Sequence, residues 1–330
     1  MAVPTLSADA VLEECLESLA SQTGAGLEVV VVDNSGQGLV RKRGLAGAGV
    51  RVIENPRNLG YGAAINAVYR TSQAPYVAAL NDDAVVQPGW ARALLEAAES
   101  DPRAGMCAPR IVLRGAGVLD SAGMLIARDA SAKQRGHRLP ASAFAAREQV
   151  LFPSGCAALY RRAMLDETGG FDEDFFLYCE DTDLGLRAQW AGWHCLYVPE
   201  AVAEHRYSHS SGRASAVKAY YVERNRLFVL AKNYPARLLA GALPASAARY
   251  FWHTWFALRR RGAAAEYRRQ GGNFAELIWF ILRAHGAALA NWSRLCEKRR
   301  RIREQARISP REFAALLERH AIAVREVAAL

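Results

Sequence analysis

Over the first 110 residues the apolar positions follow two alternating rhythms. Val11 to Ala20 carries apolar residues at helical spacing and follows Ser7 and Asp9, both suitable caps. Glu28 to Val32 is a short β-branched run ending in Asp33-Asn34-Ser35-Gly36, a strand that enters a turn. Val50 to Glu54 repeats this and stops at Asn55-Pro56. Tyr61 to Thr71 predicts a helix, and Tyr76 to Leu80 another buried strand. Strands alternating with helices predict a parallel, doubly wound sheet. Ligands in such sheets lie at the carboxyl ends of the strands, where Asp33 and Asn81-Asp82-Asp83 fall.

From about 105 to 210 the pattern is mixed. Val150 to Phe152, Ala157 to Tyr160 and Cys195 to Val198 predict short strands, and Asp181 to Ala191 a helix. From Ala214 onward the chain reads almost wholly helical, punctuated by Arg259-Arg260-Arg261 and Lys298-Arg299-Arg300-Arg301. Four of the seven tryptophans, Trp252, Trp255, Trp279 and Trp292, lie in this last third.

Composition narrows the classes. With 51% hydrophobic and 23% charged residues the chain is globular, neither disordered nor fibrous. Six cysteines without a C-x-x-C pair argue against zinc-knuckle or thioredoxin chemistry and for small buried thiols in a reducing compartment. The first 20 residues lack the basic start of a secretory signal, and apolar runs stop short of the roughly 18 residues a membrane span needs. The expectation is a cytoplasmic protein. Residues 231–330 hold 19 Lys/Arg against 7 Asp/Glu, net +12, while residues 1–230 hold 23 against 26, net −3. A basic, aromatic tail on a slightly acidic body suggests two tasks. Tail contact with an anionic membrane surface or another copy is expected, and nucleic-acid binding is not.

Three features carry chemistry. Asn81-Asp82-Asp83 leaves a buried strand, where oxygen ligands suit a hard cation such as Mg²⁺ or Mn²⁺; a solvated turn is the alternative. Asp172-Glu173-Asp174 with Glu180-Asp181 and Asp183 places six acids within 12 residues, around Phe175, Phe176, Leu177 and Tyr178. Repulsion and apolar surroundings raise a carboxyl pKa toward general-base use; simple capping of the following helix is equally open. His205, in Glu204-His205-Arg206-Tyr207-Ser208-His209-Ser210, could complete a metal shell or be a packed or surface imidazole. Asn58-Leu59-Gly60-Tyr61-Gly62 lacks the third glycine of a dinucleotide fingerprint and is weak by itself.

In this order the pieces resemble the family 2 glycosyltransferases over nearly the whole chain. Pro4-Thr5-Leu6 resembles the end of the family's first strand, and Val30 to Ser35 its second, whose Asp contacts the nucleoside. Asn58 to Asn66 resembles the N-x-G-x-x-x-x-x-N segment, and Leu80 to Val86 the D-x-D-type metal motif with Asn81 in first place. Gly169 to Glu173 and Glu180 to Arg187 resemble the acceptor-side loop and the E-D motif. Tyr221-Val222-Glu223-Arg224-Asn225-Arg226 is similar to the rhamnosyltransferase-like subset, whose members build surface polysaccharides on lipid-linked acceptors.

The resemblance implies an α/β, GT-A type, Rossmann-like and mostly parallel central sheet with flanking helices and a C-terminal helical extension. Residues 1–230 would form the glycosyltransferase domain, with 1–110 binding nucleotide and 111–230 serving acceptor and catalysis; 231–330 would be the tail. It implies inverting transfer from a dTDP- or UDP-sugar, possible as dTDP-rhamnose, to a glycan or polyprenyl-linked acceptor at the inner face of the cell membrane. Asp181 would be the base, with Glu180 the second choice. Asp83 and His205 would hold Mg²⁺ or Mn²⁺; Pro4, Thr5, Asp33, Arg57, Asn58, Gly60, Asn81, Asp82, Arg224 and Asn225 would bind the nucleotide sugar. Two departures stand out: few residues precede Pro4, and Asn81 replaces a carboxylate. A sugar nucleotidyltransferase and an inactive membrane scaffold are the rival classes. The first would need a basic, Gly-rich loop after the first strand, which Pro4 to Ser7 does not offer.

Overall fold

The computed structural model describes residues 1–45, 47, 49–206, 215–269 and 271–329. Tyr207 to Ser210, read above beside His205, and Ala214 lie outside the described residues. The chain begins as β1 (Ala2–Thr5), α1 (Ala10–Ala20), β2 (Val29–Asp33), α2 (Leu39–Lys42), β3 (Val50–Glu54), α3 (Tyr61–Thr71) and β4 (Tyr76–Leu80). It continues as β5 (Ala84–Val86), α4 (Trp90–Ser100), β6 (Ala104–Leu113), β7 (Leu119–Ser121), β8 (Met124–Ile126), β9 (Ala132–Gln134) and β10 (Glu148–Val150). Then come β11 (Ala157–Arg161), α5 (Arg162–Thr168), α6 (Glu180–Trp190) and β12 (His194–His205). The rest is helical: α7 (Ala216–Asn233), α8 (Ala236–Leu258), α9 (Gly262–Arg269), α10 (Phe274–Ala290), α11 (Trp292–Glu304), α12 (Pro310–Arg319) and α13 (Val324–Ala329).

The main sheet runs β10-β12-β6-β11-β4-β1-β2-β3. Its β4-β1-β2-β3 part is parallel, as the strand–helix alternation predicts, and β11 enters antiparallel between β4 and β6. β1 is short yet paired on both sides, so the sheet accommodates the brief first strand with Pro4 opposite Val32. Alternation along β2 sends Val30 and Val32 to one core and Val29 and Val31 to the other. One core is closed by α1 and α4; the other by α3, α5, α6 and the C-terminal helices. Val150 lies at the end of β10, which starts earlier than the letters suggest, at Glu148.

The tail joins that second core. α7 runs through residue 230 without interruption. The Trp190 ring at the end of α6 stacks on Phe313 of α12 at 4.0 Å, and its indole N–H donates to the Asn233 carbonyl. The acids of residues 172–183 do not share one site, contrary to their grouping by sequence. Asp172 pairs with Lys232 and Lys298, and Asp183 with Lys232 and Arg187. The reason is helical geometry: at about 100° per residue, Asp183 points almost opposite to Asp181. The cap of α6 is Cys179, in a left-handed conformation with no side-chain capping bond, so neither acid is its N-cap.

Candidate active site

β5 pairs antiparallel with the end of β12, placing Ala84 opposite His205. That register brings the acidic triplet to the imidazole. Nε2 of His205 lies 3.3 Å from Oδ1 of the buried Asp83. Nδ1 of His205 lies 2.7 Å from Oδ2 of Asp120 in β7, which pairs antiparallel with β6. Asp120 also contacts His137 at 3.2 Å. A carboxylate on one ring nitrogen orients the other, the arrangement common behind metal-binding histidines. Burial works against the imidazolium of His205, but the Cys156 thiol, Asp120 and Asp83 outweigh it and raise its pKa. This pair of carboxylates has room for positive charge between them. An oxygen and a nitrogen 3.3 Å apart also have the spacing of two donors on one small cation. Asp83 and His205 therefore fit a divalent metal, although no group of three or more His, Cys, Asp or Glu converges among the described residues.

The second centre is the start of α6. Oδ2 of Asp181 accepts the amide of Gly155 at 2.9 Å, and Oδ1 accepts the amide and hydroxyl of Thr182. A Cβ on Gly155 would come within 3.3 Å of Asp181, so a glycine suits this close approach. Burial raises the pKa of Asp181 against these bonds. Glu180 is more deeply buried; burial first, then the charge of Asp181, pushes its carboxyl up to about 8. One Glu180 oxygen, Oε2, has no hydrogen-bond partner among the described residues. Asp181 is the half-buried one of the two, and these bonds fix its orientation.

One dipeptide connects both centres. Gly155 donates its amide to Asp181, while the carbonyl of Cys156 accepts the amide of Asn81 at 2.8 Å. The Tyr61 hydroxyl donates to the Gly155 carbonyl. Nothing in the sequence reading singled out Gly155-Cys156, Asp120 or His137. The available signals were a Pro153-Ser154-Gly155 turn before a strand and one acid inside an apolar run, both common in ordinary loops.

The loop before α6 is held under strain. Phe176, Tyr178 and Cys179 take φ values of 63°, 69° and 63°, costly for residues with a Cβ. Asn225, fully buried, donates Nδ2 to the carbonyls of Phe175, Leu177 and Tyr178. Arg224 donates to the carbonyls of Asp174 and Phe175 at 2.8 Å. These two residues thus spend their donors on the loop that leads to Glu180 and Asp181. The Phe176 carbonyl accepts the amide of Tyr61, and a Cβ on Gly60 would lie 2.1 Å from that oxygen. Only glycine fits there.

The remaining residues named from sequence lie at the ends of β1, β2 and β4 and in the loop between β3 and α3. Thr5 closes β1 and accepts the amide of Ala8. Asp33 closes β2; burial opposes its charge, but the Ser35 hydroxyl and the amides of Val40, Ser35 and Leu39 hold its pKa down. Asn34 donates to the Gly60 carbonyl and accepts from Asn55. Asn58 accepts the Gly60 amide, and Arg57 stands exposed beside it. Pro4, Asn81 and Asp82 are half-buried at the same edge. Next to His205, Arg114, Arg138, Arg206 and His137 line a cavity of about 380 Å³. Arg114 and Arg206 both reach Glu14 of α1.

Cys15, Cys107, Cys156 and Cys195 are buried, and none of the described cysteines is bonded to another.

Comparison with known proteins gives this geometry a lineage. The "Glycosyl transferase family 2" profile matches residues 1–169. An N-acetylglucosaminyl-diphospho-decaprenol L-rhamnosyltransferase of Mycobacterium tuberculosis is 34% identical over 229 residues, covering 62% of this chain and 75% of the relative. Rhamnosyltransferase WbbL of Escherichia coli is 40% identical over 67 residues, 20% of this chain and 25% of the relative. Among solved structures, a mannosyltransferase of Pyrobaculum calidifontis with GDP-Man and Mn²⁺ superposes with TM-score 0.54 at 18% identity, over 96% of this chain and 86% of that one. GalNAc-T7 with UDP, GalNAc and Mn²⁺ superposes with TM-score 0.57 at 16% identity, over 86% of this chain. This chain spans about half, 54%, of GalNAc-T7. Likeness at that identity speaks for the fold alone. The profile match over half the chain, together with a rhamnosyltransferase relative of comparable length, makes this protein a member of glycosyl transferase family 2 and an enzyme that transfers sugars.

Proposed function

We propose that this glycosyltransferase carries out metal-assisted, inverting transfer of L-rhamnose from dTDP-rhamnose to a glycan on a polyprenyl diphosphate. The observation that carries the reading is the arrangement of Asp83, His205 and Asp181 around Gly155-Cys156. The sugar and the acceptor follow the name of the mycobacterial relative.

Asp181 accepts the proton of the acceptor hydroxyl as its oxygen bonds to the anomeric carbon. The bond from that carbon to the diphosphate breaks, and the nucleoside diphosphate leaves with the electron pair. One in-line displacement inverts the anomeric centre and needs no covalent intermediate. The amides of Gly155 and Thr182 fix the carboxylate so that it meets the hydroxyl without reorganising. Asp83 and His205 would hold the divalent ion, which when bound neutralises charge on the leaving diphosphate. Arg114, Arg138 and Arg206, beside His205, suit the phosphate oxygens. Pro4, Thr5, Asp33, Arg57, Asn58, Gly60, Asn81 and Asp82, at the strand ends, form the nucleoside side of the cleft. Arg224 and Asn225 act by shaping the loop before the base.

The tail docks on the membrane in this reading. Phe251, Trp255 and Leu258 on α8 and Ile278, Trp279 and Leu282 on α10 are exposed. Arg259 lies over the Trp255 ring at 4.4 Å, an apolar face rimmed by cations that suits an anionic surface. No helix of the described residues is long and apolar enough to cross a membrane. Trp255→Ser with Trp279→Ser should reduce co-sedimentation with phosphatidylglycerol vesicles, and unchanged sedimentation would remove the docking face.

A donor screen tests the chemistry. The protein is incubated with Mn²⁺ or Mg²⁺ and a panel of dTDP-, UDP- and GDP-sugars, and nucleoside diphosphate release is followed. Release is expected from dTDP-rhamnose, abolished by chelation and reduced about a hundredfold or more in Asp83→Ala. Release insensitive to chelation would remove the metal; release from a different donor would replace the sugar.

A further inference from the structure

Asp120, in the middle of β7, is a carboxylate only 1% exposed. Sheet register brings it to the metal pair. His205 of β12 lies opposite Leu113 of β6. There β6 turns back, the Leu113 amide donating to the Val118 carbonyl at 2.9 Å, and β7 follows. Oδ2 of Asp120 then meets Nδ1 of His205 at 2.7 Å, while Nε2 of the same ring faces Oδ1 of Asp83 at 3.3 Å.

A second imidazole grips the same carboxylate. Nδ1 of His137 lies 3.2 Å from Oδ1 of Asp120 and 3.1 Å from its backbone carbonyl. A carbonyl only accepts, so this nitrogen carries a proton. The chain beside His137 is tied to β7: the Arg138 amide donates to the Leu119 carbonyl, and the Leu119 amide to the Leu139 carbonyl, each at 2.8 Å. Arg138 takes a φ of 66° in this turn, unfavourable for a residue with a Cβ.

A buried carboxylate is costly unless its charge is matched. Among the described residues no lysine or arginine pairs with Asp120, and its charged partners are the two imidazoles. A histidine ring turns about a broad, roughly two-fold torsion, so Nε2 and a ring carbon could exchange places before Asp83. The bond from Nδ1 to Asp120 opposes that flip. It also leaves the lone pair of the neutral ring on Nε2, the atom a divalent ion requires.

We infer that Asp120, braced by His137, is a positioning residue that holds the His205 imidazole with Nε2 turned to Asp83, so that the two bind one divalent ion. The inference rests on the metal reading above and adds the side chains behind it. His137 and His205 both line the cavity of about 380 Å³ beside Arg114, Arg138 and Arg206.

The test counts bound metal on the whole protein, apart from turnover. Free Mn²⁺ is followed by electron paramagnetic resonance as the protein is titrated with dTDP present, against a protein-free dTDP control. Asp120→Asn keeps the volume and removes the charge, and it should weaken Mn²⁺ binding about tenfold or more. His137→Gln should weaken it by a smaller factor. In donor turnover both variants should need more Mn²⁺ for half-maximal rate yet approach the wild-type kcat at saturating Mn²⁺, a split that lost packing would not produce. Should wild type bind Mn²⁺ and Asp83→Ala lose it while folded Asp120→Asn binds as wild type does, the positioning role is overturned and the metal reading stands. Should wild type bind no Mn²⁺, or bind it no better than Asp83→Ala, the metal reading falls and the inference with it. Should Asp120→Asn fail to fold, His137→Gln decides alone, and wild-type Mn²⁺ affinity in that variant overturns the inference.

Discussion

Asp172 and Asp183 resemble Glu180 and Asp181 in the letters, yet the fold treats the two pairs oppositely. Burial opposes charge on all four. At Asp172 the cations Lys232 and Lys298 outweigh it and hold the carboxyl well below the usual range. At Asp183, Lys232 and Arg187 do the same. Among the described residues no cation pairs with Glu180 or Asp181, so burial prevails and both pKa values rise. The difference teaches that acidity in the chain does not mark a catalytic carboxylate. What separates the two pairs is whether the tail's lysines reach them. Asp172 and Asp183 fasten α7 and α11 to the domain, while Asp181 accepts only amides and a hydroxyl among the described residues.

The largest expected effect separates the two pairs by function. Asp181→Asn should lower transfer about a hundred- to ten-thousandfold while calorimetric donor binding survives. Near-normal turnover would move the base to Glu180. Next comes stability. Lys232→Met leaves Asp172 and Asp183 without their shared buried partner and should cost about 3–5 kcal/mol, read from the denaturant midpoint. A loss below about 1 kcal/mol would make these pairs no more than surface bridges. The last effect is a dependence on pH. The Glu180 carboxyl is raised from 4.5 to about 8 in the folded protein, so the folded form retains a proton that the unfolded chain releases. Its contribution is fully present below about 4.5 and is lost as pH rises through about 8. Wild type should therefore lose stability relative to Glu180→Gln across that window, by at most about 1.4 kcal/mol per pH unit. Parallel melting curves at all pH values would show that folding does not raise the Glu180 pKa.

Much of the frame was legible from local patterns. α3, β3 and β4 occupy the ranges the apolar spacing predicts, because period and breakers act within a few residues. Asp33 and Asp83 stand at strand ends as the alternation requires. Asp120 was hidden because its partner His205 is 85 residues away, joined by sheet register and not by spacing. Arg224 and Asn225 were visible as polar positions, but their use of donors on residues 174–178 depends on how α7 packs against the loop. The same packing explains why the basic tail is not only a solvated face: part of its charge, Lys232 and Lys298, is consumed by Asp172 and Asp183.

The sequence by itself determined the alternation of strands and helices, the glycines at tight turns and the motifs that resemble the family, since each rests on neighbouring residues. The tertiary structure decided which acids meet cations, which imidazole faces Asp83 and which loop is pulled into left-handed geometry. Those outcomes depend on elements far apart in the chain, and on burial, which turns a neighbour's charge into a shifted pKa only after packing has excluded water.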